Sequence, residues 1–143
     1  MATVDQIREC TDCARAFLYT ANKVNSIDDF ALGRIYPCVV NAAFSCELFE
    51  KAIIATEAPD RHFSNGHRLK DLFSMISPTG QAFIQDAYSH ANDDIETFDQ
   101  LLDEANEAFI EWRYAYEKNV DIHPNALIAF AEALNNYLKT IEE

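Results

Sequence analysis

Apolar residues recur three and four positions apart along most of the chain, the spacing that keeps one face of an α-helix together. Ile7, Cys10, Ala14, Phe17, Ala21 and Val24 form the first such stripe, with Thr3 placed to cap it, and predict a helix running to about Lys23. Ser26 to Gly33 reads as a turn, because Ser26 and Asp29 stand at capping-box spacing and Gly33 can end it. Pro37 suits the first position of a second helix. From Cys38 to Ala55 apolar residues fall on nearly every side, which predicts a central helix packed all round. Polar groups on such a helix need partners, so Asn41 with Ser45 and Glu47 with Lys51, each pair one turn apart, are expected to be engaged.

Glu57 to Gly66, with Pro59, reads as a loop. Leu69, Leu72, Phe73 and Ile76 then mark a short third helix stopped at Ser77-Pro78, and Pro78 restarts a fourth that carries Phe83, Ala87 and Tyr88 to Ala91. Asn92-Asp93-Asp94 offers N-caps for the next element. The regular pattern of Ile95, Phe98, Leu102, Ala105, Phe109, Trp112 and Tyr116 predicts a long, straight fifth helix, with Asn106, Ile110, Arg113 and Glu117 on the adjacent stripe. A last helix follows His123-Pro124 with Leu127, Phe130, Leu134, Tyr137 and Ile141. No alternating strand pattern or hairpin dipeptide occurs. The expected fold is all-α, an antiparallel bundle of four long helices plus one or two short ones, with residues 1–143 as a single domain.

Charge narrows the partners. Twenty-four acids against 11 bases give a formal net charge of −13, which repels a polyphosphate backbone at long range and suits a basic protein partner. The imbalance is uneven: ten acids and no Lys or Arg lie between Asp71 and Trp112, whereas Arg61, His62, His67, Arg68 and Lys70 cluster just before. No apolar run is long enough to span a membrane, and the N-terminus lacks a basic region followed by an apolar one, so a soluble, cytoplasmic protein is expected.

Most catalytic templates fail. The chain has no Glu followed three residues later by His, as a di-iron bundle requires, and no Gly-rich phosphate loop, Gly-x-Ser-x-Gly elbow or His-Glu-x-x-His helix. Cys10-Thr-Asp-Cys13 lacks the second pair of a zinc ribbon, and Cys38 and Cys46 lie among Val and Ala, so the cysteines read as core thiols. Asp99, Asp103 and Glu107 fall one turn apart, a spacing typical of a solvated face. Neither cofactor nor metal is expected.

What remains is polar chemistry in unusual surroundings. Arg113 is the first Lys or Arg after Lys70 and sits in the aromatic run Phe109-Ile-Glu-Trp-Arg-Tyr-Ala-Tyr-Glu117. A guanidinium among bulky apolar groups stays charged and must find a carboxylate, carbonyls or a ligand anion. Taken with Asn41-Ala-Ala-Phe-Ser-Cys-Glu-Leu-Phe-Glu-Lys51 and Gly66-His67-Arg-Leu-Lys-Asp-Leu72-Phe73, this run resembles the HEPN superfamily over roughly residues 35 to 140.

The resemblance implies an all-α bundle, frequent dimerisation, a defence or toxin–antitoxin setting and, in many members, a metal-independent ribonuclease whose motif is an Arg followed after four to six residues by His. This chain departs from that motif: His123 follows Arg113 with nine residues between, and Arg61 and His67, with five between, lie in a Pro/Gly loop. Arg113 and His67 are the candidate catalytic pair, as cation and as proton-transfer group. Asn41, Glu47, Lys51, Tyr114 and Glu117 are the candidate polar network, with Arg113 paired to Glu47 or Glu117 and Asn41 satisfying the neighbouring helix. Two functions are therefore expected: a HEPN-like RNA-associated protein, or a non-enzymatic acidic interaction or immunity protein that binds a basic partner. A homodimer is expected in either case.

Overall fold

The computed structural model describes residues 1–27, 35–58, 60, 62–91, 97–106 and 123–142. Among them lie six helices and no strand: α1 (Val4–Asn25), α2 (Ile35–Glu57), α3 (Leu69–Ser74), α4 (Pro78–Ala91), α5 (Phe98–Ala105) and α6 (Pro124–Ile141). None of the helices in the described residues is long and apolar enough to cross a membrane.

Helix α1 begins where its cap predicts. The Thr3 hydroxyl accepts from the Gln6 backbone N–H and the Gln6 side chain accepts from the Thr3 N–H, satisfying two of the donors that a helix start leaves over. Its inner face is wider than the predicted stripe. Thr11, Ala14, Leu18 and Ala21 are buried, while Ile7, Cys10 and Val24 are partly covered at the edges. Ser26 is the C-cap of α1, its hydroxyl donating to the Lys23 carbonyl, instead of opening a capping box; the rest of that predicted turn lies outside the described residues.

Helix α2 is the central element. It starts at Ile35, two residues before Pro37, which therefore sits in the first turn where a missing N–H breaks no intrahelical bond. Ala42, Ala43, Cys46, Phe49, Ala52, Ile53 and Ala55 are all buried, in keeping with a helix apolar all round. On one side the Ser45 hydroxyl donates to Ala14 O of α1 at 2.8 Å and Phe17 stacks on Phe44 at 5.1 Å. On the other, Cys46 Sγ lies 3.6 Å from Leu127 O of α6.

The short helices close the end of this three-helix layer. Leu69, Leu72, Phe73 and Ile76 are buried as their spacing predicts. Phe98 of α5 meets Phe73, Tyr88 and Phe130 edge-on at 4.9, 5.4 and 5.5 Å, so one ring joins α3, α4, α5 and α6. Each such pair adds about 0.5–1.5 kcal/mol beyond burial. Helix α5 is capped by Thr97, which forms a complete capping box with Gln100; the Asn92-Asp93-Asp94 cap choices lie outside the described residues. So do the predicted continuation of this helix beyond Asn106 and the Arg113 run. In α4 the buried face is Gly80, Ile84 and Tyr88, whereas Phe83 is 40% exposed and leans on Tyr137 at 5.4 Å.

Candidate functional site

Glu47 lies on the most buried helix and is 5% exposed. One oxygen, Oε1, lies 2.9 Å from His67 Nδ1, and the other, Oε2, lies 3.9 Å from Lys51 Nζ one helical turn on. The structure thus brings together three predicted residues: Glu47, Lys51 and His67. The carboxylate of Glu47 stands between two groups able to donate to it, which offsets much of the cost of placing it inside the fold.

His67 reaches this position from the segment between α2 and α3. Gly66 N–H donates to the Ser64 hydroxyl at 3.1 Å, a local turn just before the histidine. Helix α3 then starts at Leu69 with Arg68 as N-cap and no capping side chain of its own. Its donor at Lys70 is met from outside, by Asn106 Oδ1 at 3.0 Å, and Lys70 Nζ pairs with Asp103 at 2.6 Å. Nearby Asp103 and Asp99 raise the Lys70 pKa, the hydrogen bond to Asp103 contributing most. The end of α5 therefore positions the helix that carries His67 next to its start.

The imidazole is half exposed, with 56% of its side-chain surface reachable, while its carboxylate partner is inside. When Glu47 accepts, Nδ1 carries the proton. A buried carboxylate holding an accessible imidazole in one orientation is the arrangement a general base or acid needs.

Glu50, three residues after Glu47, has no exposed surface, and neither oxygen has a hydrogen-bond partner among the described residues. Burial, and then the neighbouring Glu47, push its pKa well above the usual carboxylate range. Such burial favours the neutral acid, because an ionised carboxylate with no partner among the described residues is costly there. The sequence contains the signal for it: on a helix apolar on all sides every acid is exceptional, and Glu50 interrupts the same apolar run as Glu47 and Lys51.

The remaining predicted residues divide. Asn41 donates from Nδ2 to Pro37 O at 2.7 Å within its own helix; Ser45, instead, makes the link to a neighbouring helix. Arg113, Tyr114 and Glu117 lie outside the described residues, as does Glu107. Cys38 and Cys46 are buried thiols, Cys10 is partly covered with its pKa pushed up to about 11 by burial, and Cys13 is exposed, unlike a core thiol. Among the described residues no group of three or more His, Cys, Asp or Glu side chains could hold a metal ion.

A second polar cluster escaped the sequence reading. Glu57, at the end of α2, accepts from the Ser77 backbone N–H at 2.9 Å, from the Ser77 hydroxyl and from Tyr137 OH at 2.6 Å. The Ser77 hydroxyl in turn accepts from Gly80 N–H at 3.1 Å and so caps α4. This cluster ties α2, α4 and α6 together. A scan against family models, a search of curated proteins and a search of solved structures each return no match to this chain.

Proposed function

We propose that the chain is a HEPN-like helical protein that acts on RNA, with His67, oriented by Glu47, as its proton-transfer group. The reading rests on the 2.9 Å contact between a buried carboxylate and a half-exposed imidazole. Cleavage of RNA by its own 2′-OH forms a 2′-O–P bond and breaks the P–O5′ bond. It needs a group that takes the hydroxyl proton, a proton from that group or from water for the leaving 5′-oxygen, and a cation that stabilises the charged phosphorane. His67 supplies the proton-taking group and Arg113 the cation. Because the Arg-to-His spacing departs from the family motif, the pair is drawn from two distant segments. The antiparallel four-long-helix arrangement, a homodimer, a cytoplasmic location and a defence or toxin–antitoxin setting belong to the same proposal.

The test is cleavage of single-stranded and structured RNA by the wild type and by His67→Ala, Glu47→Gln and Arg113→Ala, each checked for retained helicity. Loss of about 10²–10⁴-fold is expected for His67→Ala, the usual worth of a general base. Absence of cleavage by the wild type on every RNA overturns the catalytic reading.

A second reading is favoured by a different observation. Asp71, Asp99, Asp103 and Glu104 are all exposed on α3 and α5, and the Lys70 ammonium pairs with Asp103. Such a face suits a basic protein partner bound with salt-sensitive kinetics. Charge reversal at Asp99 and Asp103 that leaves binding of basic proteins unchanged excludes this face.

A further inference from the structure

Away from the Glu47–His67 pair, the groove between α1 and α6 opens into a cleft of about 130 Å³. Its inner surface is built from Ile7, Thr11, Thr56 and Leu138. Both threonines use their hydroxyls inside their own helices, Thr11 on Ile7 O at 2.9 Å and Thr56 on Ala52 O at 2.7 Å. With those hydroxyls committed, both threonines add little polarity, and Leu138 is fully buried, so the interior of the cleft is mainly apolar.

Charge is confined to the edge, where Arg8, Asp12, Arg15 and Glu142 stand. Arg15 is the best-held of these. Its Nε donates to Asn135 Oδ1 at 3.0 Å and its Nη2 donates to Glu142 Oε1 at 2.8 Å. The neutral Asn135 fixes the guanidinium, while the Glu142 carboxylate, itself exposed, occupies the outward donor. Among the described residues Arg8 pairs with the exposed Asp5 at 3.5 Å.

We propose that this cleft binds a small organic monoanion with a short apolar body, its acidic head replacing the Glu142 carboxylate on Arg15. Exchange of one partly exposed ion pair for another changes little in free energy, so burial of the apolar body against Ile7 and Leu138 supplies the gain. A cationic head would meet Arg8 and Arg15 as well as Asp12 and Glu142, and could pair with Glu142 only in competition with Arg15. Asp12 sets an upper limit on charge: a dianion would bring its second charge against that carboxylate.

The experiment is an NMR titration of the full chain with three probes of one body and different heads: hexanoate, hexanol and hexylamine. Hexanoate is expected to shift the amide signals of residues 7–15 and 138–142 and to bind more tightly than the other two. Arg15→Gln should weaken hexanoate about fivefold, the worth of one partly exposed ion pair, and leave hexanol unchanged. Glu142→Gln, a surface change that does not test folding, should tighten hexanoate by removing the competing carboxylate. Equal binding of all three probes, preference for hexylamine, no shift with hexanoate, or Glu142→Gln without effect each overturns the proposal.

Discussion

Gly80 and Tyr137 are in contact so close that no side chain fits between them: a Cβ on Gly80 would lie 2.7 Å from Tyr137 Cε2 and 2.7 Å from Ile76 Cγ2. The glycine is needed for this approach of α4 to α6, and the approach places Tyr137 OH on Glu57. Gly80→Ala should destabilise the protein by about 1–3 kcal/mol, the usual cost of overpacking, despite the better helix propensity of alanine. In a Tyr137→Ala background the same substitution should cost less, since the ring atoms it meets are gone while the contact with Ile76 Cγ2 remains. Urea denaturation of the four proteins in this cycle measures the difference.

A raised Glu50 pKa should make stability fall as pH rises. Its folded pKa is raised above the unfolded value, so the folded state holds a proton that the unfolded state releases above about pH 4.5. Its stabilising contribution is complete below the unfolded pKa and is lost as pH climbs towards the folded one. Glu50→Gln removes the dependence, and the variant should gain on the wild type by up to about 1.4 kcal/mol per pH unit above that point. Parallel denaturation curves from pH 4 to pH 8, a range spanning about four units, test this; equal slopes with pH in both proteins would contradict a neutral Glu50.

The Tyr137 phenol is raised by burial and by its hydrogen bond to Glu57. The sign is that of any group with a raised folded pKa: its contribution is whole below the unfolded tyrosine value and is lost as pH climbs through the folded one. Absorbance titration of the wild type against Tyr137→Phe should show that the phenol lost in the variant ionises above the usual tyrosine range.

Two threonine caps should carry equal weight. Thr3→Ala and Thr97→Ala each remove one half of a complete capping box, and each should cost about 1 kcal/mol. Thr97→Ala should also loosen Phe98, the ring that joins four helices, and so lower near-ultraviolet dichroism more than Thr3→Ala does.

The sequence shows most of the helical elements because periodicity records which face each helix buries. The third-helix stripe and the all-round burial of α2 follow directly from apolar spacing. Exact helix starts are less legible: the spacing does not single out Thr97, which caps α5, and Pro37 tolerates two helical residues before it. Spacing also leaves the partners of polar groups open. Nothing in the pattern joins Glu47 to His67, twenty residues on, or Lys70 N–H to Asn106, because those contacts depend on how a non-helical segment returns to the bundle. Glu50 was visible as an interruption, yet its lack of a partner among the described residues is a property of packing alone.

The dependence of α3 on Asn106 orders the making of this protein in time. A six-residue helix is too short to persist alone, and its outside cap arrives 36 residues later in synthesis. A nascent chain that has emerged only as far as α4 already contains both Glu47 and His67, but it lacks the anchor that sets the helix beside the histidine. The bond that meets the Lys70 N–H therefore forms only after translation has passed residue 106, so the start of α3 is completed late in the making of the chain.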